Sequence, residues 1–346
     1  HTGHRLLIGA GAAAALTMGA LAATVGGGLL GYFEARTPED QSALENGIYR
    51  LDRSESWNGW TVALTDCVGD NANSYVWVEV TAPEGTALGD AAALGYDSGY
   101  FDLDAKIKPE REDPAGSWGW QVLEVEDPEP GDNRLSFCFE MDVYSAQQLA
   151  GGQWDFSIGP LRDVWFTDPG TDQAVRYEDT QLTQAVRDHV WQFSDVRLDI
   201  PDQSVQCAPQ IEVPYLDGTA TLTRLEITPL TTTVRIEGGA CYDHHGRAAA
   251  KQAGLTPPSP TDPAQWTECW RELETVLVLK DGTTLEPPET GGGSSCQDGV
   301  SSDTYQGAPY VEKKFRYAEQ RYDVAPQVID PRQVDYILVC GVRVEL

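Results

Sequence analysis

The fold is decided by two neighbouring stretches, Trp60-Thr61-Val62-Ala63-Leu64-Thr65 and Tyr75-Val76-Trp77-Val78-Glu79-Val80. In both, apolar residues recur at every second position, which is the pattern of a strand that buries one face. Residues 69–73 between them include Gly, Asp and Asn, which favour turns. The two stretches therefore predict an antiparallel hairpin near the start of a β-rich body.

The same alternation recurs along the rest of the chain. It predicts strands at 119–125, 134–143, 153–158, 219–227, 231–237, 275–279 and 336–344. Asp281-Gly282 predicts a second tight hairpin. The apolar residues of 182–193 have a helical spacing and predict one helix. Residues 246–264, rich in Pro, and 287–302, rich in Gly and Ser, are expected to be inserted loops.

The number of residues after position 33, about 313, is too large for one ordinary hydrophobic core. Short strands at this spacing, without long helices between them, fit sandwiches better than an α/β sheet. We therefore expect a mainly β protein with two β-sandwich domains, 46–200 and 201–346, after a polar linker at 34–45.

Residues 6–33 form a run of twenty-eight positions without a charged side chain, directly after Arg5. As a helix this run is roughly 42 Å long, which exceeds the ~30 Å hydrocarbon core of a bilayer. We expect one transmembrane helix over 6–33, with 1–5 as the remnant of a cytoplasmic segment whose upstream part is missing. Since basic residues stay on the cytoplasmic side, Arg5 places the body, 34–346, outside the cell.

A cleaved signal peptide is the alternative to this anchor. Arg5 would be its n-region, 6–19 its apolar segment and Ala20-Leu21-Ala22 its cleavage site. The anchor is favoured because the apolar character continues through Leu29, Leu30 and Phe33, where a mature secreted chain would turn polar.

The charge of the body excludes one class of partner. Of 24 basic residues only Arg5 precedes the end of the apolar run, whereas all 54 acidic residues follow it. Such a surface repels phosphate backbones, so nucleic acid is not an expected partner.

The seven cysteines all lie in the body, where an exported protein uses cysteines for disulfides. They are Cys67, Cys138, Cys207, Cys241, Cys269, Cys296 and Cys340. We predict a bridge between Cys67 and Cys138 and two more among the other five, with one thiol left over.

No catalytic residue, cofactor site or metal site is predicted. Cys241-Tyr242-Asp243-His244-His245 is the densest group of potential ligands, but neighbouring histidines on an extended chain point to opposite sides. Acidic pairs arise at random among so many carboxylates, and neither a Gly-x-Ser-x-Gly elbow nor a phosphate loop is present. We therefore expect a protein without enzymatic activity.

Four tryptophans, Trp57, Trp60, Trp118 and Trp120, are flanked by Gly and Ser. Exposed aromatic rings at these positions could stack on a sugar ring or a peptide. Packing in a core or at a domain interface is the favoured alternative.

Four segments together resemble a known family. They are Asn46-Gly47-Ile48-Tyr49, Leu222 to Val234 (LTRLEITPLTTTV), Leu279-Lys280-Asp281-Gly282-Thr283 and Asp330 to Ile337 (DPRQVDYI). Behind a single anchor they resemble the DUF4179 group of Gram-positive membrane proteins, with a second domain of the immunoglobulin-like DUF5643 kind. The resemblance implies two immunoglobulin-like sandwiches and a place among anti-sigma-like proteins, and it implies no catalytic residue.

The expected function is a non-enzymatic extracytoplasmic sensor or regulatory ectodomain of a membrane-anchored anti-sigma-like protein. Its expected partners are membrane lipid through 6–33, a sigma factor through the missing cytoplasmic segment, and an unidentified envelope ligand. The alternative is a cell-surface adhesin or wall- and glycan-binding module.

Overall fold

The computed structural model describes residues 28–71, 73–85, 101–108, 118–123, 132–143, 150–161, 164–167, 174–177, 189–215, 218–238, 273–286, 292–297, 310–317 and 327–346. For 101–108, 118–123, 142–143, 160–161, 164–167, 174–177 and 292–297 it describes the backbone alone. The chain divides into two compact units: unit 1 is His1–Glu34 with Leu44–Asp202, and unit 2 is Ala35–Ala43 with Gln203–Leu346. The prediction of a mainly β protein is confirmed.

The first elements of the described residues are two helices and a short strand, and the strands of unit 1 follow them. In order these are α1 Leu29–Tyr32, β1 Glu34–Ala35, α2 Pro38–Gly47, β2 Tyr49–Trp57, β3 Trp60–Gly69, β4 Asn73–Thr81, β5 Phe101–Lys108, β6 Trp118–Leu123, β7 Arg134–Val143, β8 Gln153–Leu161, β9 Val164–Thr167, β10 Ala174–Tyr177 and β11 Trp191–Arg197. The described strands form an antiparallel sheet of order β2-β3-β4-β7-β6, a second of order β11-β8-β5, and the pair β9-β10.

The two larger sheets of unit 1 share one hydrophobic core. Alternate residues of β3, β4 and β7 face alternate residues of β8 and β11 across it. The core includes Trp60, Val62, Leu64, Val76, Val78, Val80, Phe137, Phe139, Trp154, Phe156, Trp191 and Phe193. The predicted hairpin is confirmed, because β3 pairs with β4 in a register that joins Val62 to Val80 and Leu64 to Val78.

Unit 2 is built in the same way from the second half of the chain. Its strands are β12 Val205–Cys207, β13 Ile211–Tyr215, β14 Gly218–Ile227, β15 Thr231–Glu237, β16 Thr275–Leu279, β17 Thr284–Leu285, β18 Gly292–Gln297, β19 Tyr310–Arg316, β20 Gln327–Val328, β21 Val334–Val339 and β22 Val342–Glu345. One sheet has the order β12-β14-β15-β19-β18, with β13 also paired to β14, and the other β17-β16-β21-β22. Residues of both sheets, among them Leu222, Val234, Leu277, Phe315 and Ile337, form its core.

The turns of unit 2 explain why its strands end where they do. At the predicted Asp281-Gly282 hairpin, Thr283 N donates to Asp281 Oδ1 (2.8 Å), and Gly282 has φ +85°, which favours glycine. Between β14 and β15, Leu230 N and Thr231 N both donate to Thr228 Oγ1. The Thr228 hydroxyl group thus accepts the hydrogen bonds of two backbone N–H groups in the turn that joins the strands.

The last residues of the predicted transmembrane helix, 29–33, do not continue a long helix. Residues 29–32 form the four-residue helix α1, Phe33 is extended, and Leu29 and Phe33 are 1% and 6% exposed. The Phe33 ring lies edge-on to Tyr75 with centroids 5.0 Å apart. The helix cannot run on to Phe33, because these apolar residues pack on the first sheet of unit 1. In the part of the chain described, no helix is long and apolar enough to cross a bilayer; residues 6–27 lie outside that part.

The expected polar linker at 34–45 is wrong, since most of it belongs to α2. Asp40 N donates to Thr37 Oγ1 (3.1 Å), which caps the helix, and Pro38 occupies its first turn. Asp40 is 1% exposed, and its Oδ1 accepts a 2.6 Å hydrogen bond from Asp330 N. The segment is therefore held within unit 2 by a buried carboxylate.

Two further expectations are corrected. The helix predicted over 182–193 is wrong from 189 onward, because β11 begins at Trp191 and pairs with β8; residues 182–188 lie outside the described residues. The loop predicted over 287–302 contains strand β18, Gly292–Gln297, which adds to the sheet edge at β19. Backbone pairing with β19 outweighs the low strand propensity of Gly and Ser here.

The predicted Cys67–Cys138 bridge is also wrong, because both thiols are free and buried. Cys67 pairs with Val76 and Cys138 pairs with Trp77, so strand β4 lies between them. Two strand spacings are about 9–10 Å, beyond the roughly 7 Å limit for a bridge. Val76 and Trp77 are also consecutive, so the two cysteines lie on opposite faces of the sheet.

Candidate functional site

The candidate site lies where edge strand β2 approaches β11, the edge strand of the other sheet of unit 1. Gln192 N donates to Glu55 Oε2 (2.7 Å), and Arg53 Nη2 donates to Ser194 O (3.1 Å). The register pairs Arg53 with Leu64, Glu55 with Val62 and Trp57 with Trp60, which places these β2 residues on the core side of the sheet. Polar residues on that side of an edge strand close the opening between the two sheets.

Trp57 and His189 form the centre of this site, and we call Glu55, Trp57, His189 and Gln192 the edge cluster. The Trp57 and His189 rings are stacked, with centroids 4.4 Å apart and planes 9° from parallel. His189 also meets the buried Trp191 edge-on, at 4.8 Å and 88°. The histidine thus fixes the orientation of Trp57, which remains 51% exposed.

The polar atoms of the edge cluster are only partly engaged with each other. His189 Nε2 lies 4.0 Å from Glu55 Oε1, which is too long for a hydrogen bond, and no hydrogen bond reaches this buried nitrogen from the described atoms. Glu55 Oε2 accepts from Gln192 N, whereas the side chain of Glu55 stays 38% exposed. Glu55 Oε1 is therefore a hydrogen-bond acceptor beside an exposed aromatic ring.

Gly159 on β8 is what allows His189 to take this position. Its φ is +103°, a conformation that L side chains rarely adopt. A Cβ at this residue would lie 2.7 Å from His189 O and 3.3 Å from the Trp191 ring. The close backbone approach that places His189 under Trp57 therefore requires glycine.

The four tryptophans that the sequence offers for stacking on a ligand differ in exposure and in how far the structure describes them. Trp57 is exposed, as a platform needs, but Trp60 is 2% exposed and belongs to the core, which was the packing alternative. Trp60 is buried because the Asn58-Gly59 turn pairs it with Trp57 on the core side of the sheet. Trp118 and Trp120 lie on β6, where their backbones pair with Val143 and Met141, and their side chains lie outside the described residues.

Sequence reasoning missed His189 and Gln192 as site residues. They lie more than 130 positions from Glu55 and Trp57 along the chain, and no spacing pattern connects the two segments. The alternation Trp191-Gln192-Phe193 was the available signal, because it predicts a strand whose outward residue is Gln192.

The cysteines add no second site among the described residues. Burial raises the pKa of the Cys67 and Cys138 thiols, and that of the half-buried Cys340. Cys207 lies on β12 and is free. Cys296 lies on β18, for which only the backbone is described. Cys241, Cys269, His244 and His245 lie outside the described residues. Within the described ranges, no group of three or more His, Cys, Asp or Glu residues could hold a metal ion.

Comparisons with known proteins do not assign the chain to a family. No protein-family model matches the chain, and no curated protein matches it. One solved structure, "The crystal structure of the conserved domain protein from Bacillus anthracis", matches at 10% identity over 84% of this chain and 76% of that one, with a TM-score of 0.39. A likeness of this size carries no argument about fold or function.

Proposed function

We propose that the chain is a non-enzymatic extracytoplasmic sensor or regulatory ectodomain of a membrane-anchored, anti-sigma-like protein. The observation that carries the proposal is the packing of residues 29–33, the last five positions of the uncharged run. Leu29 and Phe33 are buried, Phe33 contacts Tyr75, and the Tyr32 ring lies 6.2 Å from that of Trp77. Residues 29–33 are therefore part of the folded unit 1.

This packing favours transmission of a signal. Residues 6–27 are also uncharged and would span about 33 Å as a helix, which still suffices for an anchor. A ligand that shifts the first sheet of unit 1 would move residues 29–33 with it, and with them the end of the anchor. An adhesin needs only a tether, for which a flexible linker would serve.

The fold and charge are consistent with this proposal. In each unit two sheets enclose one core, which supports an immunoglobulin-like sandwich for both. The excess of acidic residues suits a soluble exposed body. The resemblance to the DUF4179 group supports the anti-sigma-like role, with a sigma factor as the cytoplasmic partner.

A cell-surface adhesin or wall-binding module is the second candidate. It is favoured by one observation, the exposed Trp57 ring held by His189. The two candidates differ in output, because an adhesin has no reason to alter transcription.

Transcript profiling distinguishes the two candidates. Deletion of the gene should change a defined set of transcripts, because an anti-sigma-like protein holds a sigma factor inactive. Phe33→Ala should change the same set at unchanged protein level, since it removes the contact with Tyr75. Leu30→Ala is the matched control, because Leu30 lies on the adjoining helix α1 and is exposed. A deletion without effect on transcripts would contradict the proposal.

A further inference from the structure

The exposed apolar side chains of the described residues single out Trp57. The large apolar side chains exposed there are Leu30, Trp57 and Leu346. Trp57 is the aromatic one among them, and it offers a flat surface that an isolated aliphatic side chain does not. Trp57 is 51% exposed although it lies on the core side of its strand.

The Trp57 ring is also held rigidly. His189 backs it in parallel at 4.4 Å, Trp191 holds His189 from the edge, and Gly159 permits the close backbone approach. A side chain that is already ordered loses little conformational entropy when a ligand stacks on it. The arrangement is therefore preorganised for stacking.

The chemistry beside the ring selects the class of ligand. Glu55 Oε1 can accept a hydrogen bond from a hydroxyl group, while Oε2 is engaged by Gln192 N. A carboxylate on a chain of net charge −30 disfavours anionic ligands. A flat C–H face together with donating hydroxyl groups is the chemistry of a neutral sugar ring.

We propose that Trp57 and Glu55 form a subsite for one neutral sugar ring of a polysaccharide. The C–H face of the ring stacks on the open side of Trp57, and one hydroxyl group donates to Glu55 Oε1. The proposal goes beyond the signalling role, because binding is measured directly and does not depend on whether the chain signals. It gives the unidentified envelope ligand a chemical class.

Calorimetric titration of the full chain tests the subsite. The protein is kept in a polyoxyethylene detergent, because detergents with sugar headgroups would compete. The probes are chitotetraose and cellotetraose, both neutral, and a tetramer of galacturonic acid, which is anionic. We expect a Kd in the range of about 0.1 to 1 mM for at least one neutral probe, and binding at least tenfold weaker for the anionic one.

Variants tie the binding to the proposed residues. Trp57→Ala should weaken neutral-probe binding at least tenfold, Glu55→Gln should weaken it severalfold, and Leu30→Ala should leave it unchanged. Trp57→Ala also removes the ring that covers His189, so a second readout is taken on the unaltered protein. This readout is the NMR resonance of the Trp57 indole N–H, which is assigned by its absence from the spectrum of Trp57→Phe. It should shift during titration with the neutral probe.

Three results would overturn the proposal. The first is that neither neutral probe binds at about 10 mM. The second is that a folded Trp57→Ala variant binds the neutral probes as tightly as the unaltered protein. The third is that a basic peptide shifts the Trp57 resonance whereas neither neutral probe shifts it.

Discussion

At the residue scale, the core side of β2 is the unusual feature of unit 1. Arg53, Glu55 and Trp57 occupy positions whose partners on the neighbouring strand β3 are buried apolar residues. Their hydrogen bonds reach backbone atoms of β11, and Trp57 covers His189. The same residues thus close the edge of the fold and present the exposed ring on which the sugar-binding proposal rests.

Replacement of Gly159 tests the close approach that positions His189. Gly159→Ala should lower the free energy of unfolding by about 2–3 kcal/mol, because the positive φ and the Cβ contact with His189 O are both unfavourable. Gly151→Ala is the matched control: its φ is also positive (+74°), but no atom lies within 4 Å of an added Cβ. It should cost about 1 kcal/mol. Equal losses in urea unfolding of the two variants would contradict the assigned role.

Asp66 predicts a pH dependence of stability. Burial raises its pKa above the usual 3.8, and the nearby Asp52 adds to this, against the opposing effect of Arg50. The folded state therefore holds this proton more tightly than the unfolded state, so the contribution of Asp66 is most favourable below 3.8 and is lost as pH rises through the folded-state pKa. Asp66→Asn should flatten the dependence of urea midpoints on pH above the usual pKa of 3.8. An unchanged profile would show that Asp66 titrates normally.

At the element scale, strands with an alternating pattern were predictable and elements without it were not. The strands Arg134–Val143 and Thr231–Glu237 begin and end at the predicted residues. The apolar residues near Trp191 and Phe193 have spacings that are compatible with either a strand or a helix. The segment forms strand β11 because it pairs with β8. The edge cluster could not be predicted, because it depends on the approach of β2 to β11.

Helix α2 was missed although its starting signal is present. Thr37, Pro38, Glu39 and Asp40 are an N-cap, a first-turn proline and two acidic residues, although the polar composition of 34–45 as a whole predicts a linker. Ala43 and Leu44 of α2 are buried, but two adjacent apolar residues give no helical periodicity, and the buried carboxylate of Asp40 adds a polar contact that composition does not predict.

Removal of the α2 cap tests this interpretation. Thr37→Ala should lower the free energy of unfolding by about 1 kcal/mol, because Asp40 N loses its acceptor. Thr37→Ser keeps the hydroxyl group and should retain most of the stability. If both variants unfold at the same urea concentration as the unaltered chain, the cap is not formed.

The placement of two cysteines in the first sheet gives another prediction. Cys67 and Cys138 should resist iodoacetamide in the native protein without reductant, since burial shields them and raises their pKa. Both should react after unfolding in urea, still without reductant. A disulfide-linked peptide pair containing the two residues in the mass spectrum would contradict the sheet register.

At the scale of the whole molecule, the end of the uncharged run and the segment that follows it belong to the folded structure. Residues 29–33 pack on the first sheet of unit 1, and Asp40 is bound by Asp330 N within unit 2. Each unit thus contains part of the chain closest to the proposed anchor. This arrangement is the physical basis for proposing a sensor.

The most direct test of the proposed ectodomain is the side of the membrane on which the body lies. An epitope placed after Leu346 should be stained by antibody on intact cells from which the wall has been removed, and the protein should stay with the membrane fraction. A cytoplasmic protein with the same epitope should be stained only after permeabilisation. Staining of the Leu346 epitope only in permeabilised cells, or release of a soluble form that begins near Ala23, would contradict a membrane-anchored extracytoplasmic body.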